Sequence, residues 1–192
     1  LVADGKFKAS PSIIDVSGEK IIMIGSQDHF FYAVNGNGDP IFSIEVGGEI
    51  NSSASFLETS QWGLVTFFGS DDGFLHAVSL QGANIDGWPI QLGGSIGTAS
   101  FSDLNGDGSP EIIVSSENKI HVLHLDGTYY DSSHFPIQTE FSISSSPIIV
   151  DFDNDNDLEI IFGTLADVVV VDIMEQGGVN ENYWNMEKGN NN

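Results

Sequence analysis

The chain has 192 residues, with 28 Asp+Glu against 5 Lys+Arg and a formal net charge of −23. A field of that sign repels phosphate backbones and anionic membrane surfaces, so nucleic-acid binding is excluded as its function. There is no cysteine, which excludes a disulfide framework and thiolate metal sites or catalysis. The 40% hydrophobic content, with 13 Phe, is enough to bury a core. No apolar run reaches the roughly 18 residues of a membrane-spanning helix, so no membrane insertion is expected.

The segment 1–8, which opens Leu1-Val2-Ala3-Asp4-Gly5, carries no basic n-region and reads as a mature or excised start. It resembles the hairpin end of a preceding unit. From residue 9 the chain repeats. A small-residue step ahead of an apolar run recurs at Ser10–Asp15, Ser53–Glu58, Thr98–Asp103 and Ser146–Asp151. Pro11, Ala54, Ala99 and Pro147 mark it at intervals of 43, 45 and 48 residues, each followed four positions later by an acid.

Three further landmarks keep that beat. Ile21–Ile24, Val65–Phe68, Ile112–Val114 and Ile160–Phe162 form a second run. Phe31–Val34, Leu75–Val78, Ile120–Leu123 and Val168–Val171 form a third. Pro40-Ile41, Trp88-Pro89-Ile90, Pro136-Ile137 and Trp184-Asn185-Met186 close the units. The runs are rich in Ile, Val and Phe and are separated by Gly, Asn, Asp and Ser, which predicts short strands and turns. Asn37-Gly38 and Asp126-Gly127 read as hairpin turns in which both residues take positive φ. No segment shows sustained helical periodicity.

Four strands in about 40–45 residues is the size of one β-propeller blade. A β-sandwich also has evenly spaced short strands, but the fourfold register of landmarks favours the propeller. The expected fold is all-β: a β-propeller of four four-stranded blades. They occupy 9–50, 51–96, 97–143 and 144–186, with a tail at 187–192. The four blades either close alone or form a segment of a larger wheel.

Two blades carry an acidic loop between their first and second strands. One reads Asp103-Leu104-Asn105-Gly106-Asp107-Gly108-Ser109-Pro110-Glu111, the other Asp151-Phe152-Asp153-Asn154-Asp155-Asn156-Asp157-Leu158-Glu159. Oxygen-bearing side chains stand at positions 1, 3, 5 and 9 of both. Hard oxygens at that density suit Ca²⁺ better than Mg²⁺, which keeps more of its waters. Candidate ligands are Asp103, Asn105, Asp107, Ser109 and Glu111 in the first loop. In the second they are Asp151, Asp153, Asp155, Asp157 and Glu159. Gly108 and Asn156 fall where a positive φ is needed. An EF-hand is excluded, because its twelfth position would be Val114 or Phe162, both strand residues. Ordinary turn-making explains one Asn-Gly pair but not five acids in nine residues, whose mutual repulsion a cation would relieve. Asp15–Glu19 is too short for such a loop, and Glu58–Trp62 has too few carboxylates.

The Asp-x-Asn-x-Asp-Gly-x-x-Glu loop between two apolar strands resembles the FG-GAP/VCBS repeats, the calcium-binding blades of integrin α-type propellers. The likeness covers Ser146–Gly163 and Thr98–Ser115, the latter with Ala in place of Pro, and Gly87-Trp88-Pro89-Ile90 also fits bacterial versions. Gly69–Val78, and more loosely Gly25–Val34, resemble quinoprotein-type blades, although the tryptophan-docking segment of those blades has no recognisable counterpart. The resemblance implies two structural Ca²⁺ sites and a secreted or cell-surface scaffold or recognition module for a protein or glycan partner, with further blades of the same parent chain as additional partners. The alternative is a segment of a propeller enzyme, of polysaccharide lyase or quinoprotein dehydrogenase type, with its catalytic residues elsewhere. A passive spacer in a surface protein is a third reading.

No catalytic or cofactor-binding residue stands out. His29, His76, His121, His124 and His134 show no metal spacing. His121 and His124 are expected in one strand facing opposite ways. Trp88 and Trp184 hold matching positions, which argues for packing over a sugar platform, while Trp62 has no counterpart.

Overall fold

A computed structural model describes residues 2–179 and Tyr183. These residues form fifteen strands and no helix. They fall into two compact units, Leu1–Thr98 and Ala99–Asn192.

In the first unit, β1 (Ser12–Val16), β2 (Glu19–Gly25), β3 (Phe30–Asn35) and β4 (Pro40–Glu45) pair in chain order as one antiparallel sheet. The next sheet is built the same way from β5 (Ser55–Thr59), β6 (Gly63–Gly69), β7 (Phe74–Ser79) and β8 (Ile90–Gln91). In the second unit, β9 (Ser100–Ser102), β10 (Glu111–Ser116), β11 (Lys119–Leu123) and β12 (Ile137–Gln138) form a third sheet. The last sheet holds β13 (Ile148–Val150), β14 (Glu159–Gly163) and β15 (Val168–Asp172). Three described strands stand where four are expected. The landmark Trp184-Asn185-Met186, the tail 187–192 and Leu1 lie outside the described residues.

Successive strand residues point to opposite sheet faces, so the register assigns each side chain to a face. Ile22, Ile24 and Tyr32 share one face of the first sheet, and Met23, Phe31 and Ala33 share the other. In the second sheet Thr66, Phe68 and His76 share a face. Those two inner faces meet: the Phe31 and Phe68 rings stack with centroids 3.9 Å apart, and Thr66 Oγ1 donates to Met23 Sδ at 3.4 Å. The second unit repeats the arrangement. Ile113, Ile120 and Val122 of the third sheet form one buried cluster with Ile149, Ile160 and Phe162 of the fourth.

The small-residue step has a packing cause. Ser12 Oγ donates to the Ala54 carbonyl at 2.7 Å, and Ser100 Oγ donates to the Pro147 carbonyl at 3.1 Å. Each bond ties the first strand of one sheet to the residue that leads into the first strand of the next, and small residues allow the close approach.

The hairpin turns differ from expectation. Gly38 and Gly127 have positive φ, but Asn37 and Asp126 do not. Gly38 N donates to the Asn35 carbonyl and Asn35 N to the Asp39 carbonyl. Ser79–Ala83 and His124–Thr128 repeat the pattern. This is a turn closed by a single left-handed glycine, so the glycine alone needs the unusual φ.

Removing the ring that fills the first unit's interior should be costly. Phe68→Ala is expected to destabilise that unit by about 3–5 kcal/mol in urea unfolding, as large-to-small core changes do. Gly69→Val should also destabilise it, because a Cβ at Gly69 would lie 2.5 Å from Ile96 Cβ and 2.7 Å from its carbonyl oxygen.

Candidate metal centre

Both acidic loops lie in the second unit, each joining the first strand of its sheet to the second. The first unit has tight hairpins at those places. Gly18 N donates to Asp15 Oδ1 in one, and Thr59 faces Gly63 in the other.

In the loop Asp103–Glu111, the carboxylate of Asp103 is buried and turned onto the backbone. Its Oδ1 accepts from Gly106 N and Asp107 N, and its Oδ2 accepts from Gly108 N, at 2.8–3.1 Å. Asn105 Oδ1 accepts from Asp107 N at 3.0 Å, and Asp107 Oδ1 from Ser109 N at 2.8 Å. Gly106 and Gly108 both take positive φ. Ser109 is exposed.

Glu111 opens β10 and is 0% exposed. Its Oε2 accepts from Leu104 N at 2.9 Å, while its Oε1 is buried with no hydrogen-bond partner among the described residues. Burial is the main cause that pushes the Glu111 carboxyl up to about 7, with Asp107 and Asp103 adding to it and the Leu104 N–H opposing it. His124 Nδ1 stands 3.4 Å from Oε1. His124 is not in a strand with His121: β11 ends at Leu123, and His124 opens the following turn.

The loop Asp151–Glu159 is arranged differently. Glu159 is buried at the head of β14, and its Oε2 accepts from Phe152 N. Asp151, Asp153 and Glu159 offer oxygens within 4.8 Å of one another, as do Asp155, Asp157 and Glu159. Four aspartates thus lie in two groups that share one glutamate. Asn154 and Asn156 supply the left-handed turns that curl the loop round it. Asp157 Oδ1 is buried without a hydrogen-bond partner among the described residues. Burial, followed by Asp155, pushes the Asp157 carboxyl up to about 6. Asp153 is also raised, by burial and then by the Asp155 charge, whereas the Asp157 N–H holds Asp155 down. These acids crowd one another more than they are paired.

The two candidate sets therefore stand apart. The structure gathers Asp151 with Asp153, and Asp155 with Asp157, each pair beside Glu159. It does not bring Asp103, Asp107 and Glu111 within that same mutual distance, because Asp103 is occupied by three backbone N–H groups.

One segment that the sequence reading passed over crosses both loops. Asp103 N donates to the Val179 carbonyl at 3.0 Å, and Val179 N donates back at 2.7 Å. Gly177 N and Gln176 Nε2 reach the carbonyls of Asn156 and Asp155 at 3.4 and 3.5 Å. A Cβ at Gly106 would lie 2.3 Å from the Gly177 carbonyl oxygen, so the chains touch backbone to backbone. The Gly177-Gly178 pair was the available signal.

The histidines and tryptophans mostly pack. His76 stacks on Phe68 at 4.7 Å, and His121 is held between Ser116 Oγ at 3.0 Å and Tyr129 Oη at 2.8 Å. Burial lowers both histidines, His121 to about 4. Trp88 is buried edge-on against Phe67, and Trp62 is half-buried. His134 is exposed and pairs with Asp131, beside a cleft of about 420 Å³ that is also lined by Tyr130, Phe135, Asp172 and Glu175.

Comparison with known proteins agrees with this architecture. The family model of the FG-GAP-like repeat matches residues 103–162, the stretch that holds both loops. No curated protein matches the sequence. Among solved structures, BBS1N in complex with ARL6DN aligns at a TM-score of 0.58 and 14% identity, over 95% of this chain and 54% of that one. BamB from Moraxella catarrhalis aligns at 0.61 and 14% identity, over 89% and 48%. The Neurospora crassa Pan2 WD40 domain aligns at 0.53 and 14% identity, over 94% and 50%. The chain spans about half the length of these structures. At such identities the likeness is one of fold, and the fold is a β-propeller repeat.

The buried glutamate gives a pH dependence. Its folded-state pKa of about 7 lies above the ordinary 4.5, so its contribution favours folding below about 4.5 and is lost as pH rises through 7. Metal-free protein is expected to lose stability over that window in unfolding titrations, and Glu111→Gln should flatten the loss.

Proposed function

We propose that the chain is a calcium-stabilised propeller module of the cell exterior, serving as a scaffold or recognition surface for a protein or glycan partner, with no catalytic centre of its own. The observation that carries this reading is the convergence of four aspartates on the buried Glu159. Ca²⁺ takes 6–8 oxygen ligands, and five carboxylates on one short loop suit it. Asp151, Asp153, Asp155, Asp157 and Glu159 would hold one ion. Asp103, Asn105, Asp107, Ser109 and Glu111 would hold a second, once the Asp103 carboxylate turns from its backbone donors. The ion supplies charge: it cancels the repulsion among the acids and lets the two glutamates remain ionised at the heads of buried strands.

The affinity usual for such sites supports an exterior location. Extracellular calcium modules work with dissociation constants of about 10⁻⁴–10⁻³ M, a range filled outside cells. A strongly acidic surface with few Lys suits that medium. A protein partner is in keeping with the BBS1N neighbour, which is in complex with ARL6DN. The cleft beside His134 combines the aromatic walls of Tyr130 and Phe135 with the carboxylates of Asp131, Asp172 and Glu175, a mixture that suits a small polar ligand such as a sugar. Blades at 9–50, 51–96, 97–143 and 144–186 remain part of the proposal.

A ligand that binds only the folded state stabilises it by about 2.7 kcal/mol at one hundred times its dissociation constant. Millimolar calcium is therefore expected to raise the melting temperature of chelator-stripped protein clearly. Asp155→Asn should weaken calcium binding in calorimetry and remove part of that rise. An identical melting curve with calcium and with chelator would contradict the proposal.

A further inference from the structure

Within the second unit, the cleft of about 420 Å³ opens between the segment that follows β11 and the end of β15. That volume is in the range of ligand sites. Ile137, Val171 and Ile173 line it, and all three pack against the unit's buried cluster, so the floor on the core side is apolar. Tyr130 and Phe135 make an aromatic wall, ring edge to ring face with centroids 6.5 Å apart.

The rim is acidic. Asp131, Asp172 and Glu175 line the cleft with one histidine, His134, and with no Lys. Asp131 is already engaged. Its Oδ1 accepts from Ser133 N at 2.8 Å and from Ser133 Oγ at 2.6 Å, and its Oδ2 faces His134 Nδ1. Asp172 Oδ1 accepts from Met174 N at 3.0 Å, and Glu175 lies close enough to the Tyr130 hydroxyl to add to the effect of burial in holding its proton. Neither Asp172 nor Glu175 has a cationic partner among the described residues. Both are exposed, and between them Met174, 78% exposed, takes a left-handed φ of 59°.

Aromatic walls alone would serve a neutral sugar. Two carboxylates without a counter-charge, set over an apolar floor, favour an apolar stem that ends in positive charge. A lysine side chain has that form, since it buries its methylenes along apolar surface and keeps its head in water. Its ammonium has three rotatable donors and can address two separate carboxylates, whereas the arginine fork matches one. The aromatic wall adds attraction for a cation, and the net charge of −23 draws basic partners toward the chain.

We infer that this cleft receives a lysine side chain of a protein partner, its stem along Ile137, Val171 and Ile173 and its ammonium between Asp172 and Glu175. The inference rests on the reading of the chain as a recognition module and narrows its partner to a protein that presents lysine. None of the cleft residues is among the calcium ligands proposed above. Lysine binding should therefore persist in chelator below the melting temperature, which separates this test from that of the metal sites.

A titration of the full 192-residue chain with Nα-acetyl-lysine N-methylamide, followed by amide chemical shifts in NMR, tests the inference. Shifts are expected at Tyr130–Ile137 and Val171–Glu175, with a millimolar dissociation constant. The norleucine analogue, which has the stem without the charge, should bind roughly tenfold more weakly, as loss of two exposed ion pairs implies. Glu175→Gln should weaken lysine binding by about threefold with the melting curve unchanged. Glu175→Lys, which supplies the cation from within, should abolish it. Equal affinity for the lysine and norleucine compounds, shifts that fall elsewhere on the chain, or no shift at all would overturn the inference. So would a neutral sugar such as maltose that binds the cleft more tightly than the lysine compound.

Discussion

The described sheets carry apolar residues on both faces. A strand buried on one side alternates apolar and polar residues, but β10 reads Glu-Ile-Ile-Val-Ser-Ser and is buried throughout. No sheet of this kind can satisfy itself. It needs a neighbour on each side, and stacking sheet on sheet is the arrangement that repeats. The Phe31–Phe68 stack, the Ile113–Ile160 cluster and the Ser-to-carbonyl bonds from Ser12 and Ser100 are local forms of that requirement.

The same requirement creates the electrostatic problem at the strand heads. Glu111 and Glu159 open strands whose following residues are buried, so their carboxyl groups are drawn out of water. Each recovers one backbone donor, Leu104 N–H or Phe152 N–H, and is then surrounded by acids. A carboxylate so placed either takes up a proton or needs a cation. The raised Glu111 and Asp157 describe the first outcome, and calcium would provide the second. Gly177 and Val179 join the two loops to a single backbone segment.

Much of this was legible in the residues. The apolar runs at Ile21–Ile24, Val65–Phe68, Ile112–Val114 and Ile160–Phe162 each fall in the second strand of a sheet, because a run buried on two faces leaves a continuous apolar signature. The positive φ at Gly108 and Asn156 was readable from residue type, since glycine lacks a Cβ and asparagine's short polar side chain tolerates the left-handed region. The state of Asp103 was not, since its turn toward three backbone N–H groups depends on a loop path that spacing alone does not reveal. Nor was the approach of His124 to Glu111: they are far apart in the sequence and meet only because β10 and β11 pair. Asn37 and Asp126 misled for a narrower reason, since a hairpin with one left-handed glycine and a hairpin with two left-handed residues share the same dipeptide.

The central claim is that a calcium ion answers the carboxylates gathered on Glu159. A crystal structure grown in calcium, with anomalous scattering recorded to identify the ion, tests it most directly. The account predicts an anomalous peak bonded to oxygens of Asp151, Asp153, Asp155, Asp157 and Glu159 at about 2.3–2.6 Å. A loop of unchanged shape that holds only water or a proton between Asp155 and Asp157, in millimolar calcium, would contradict it.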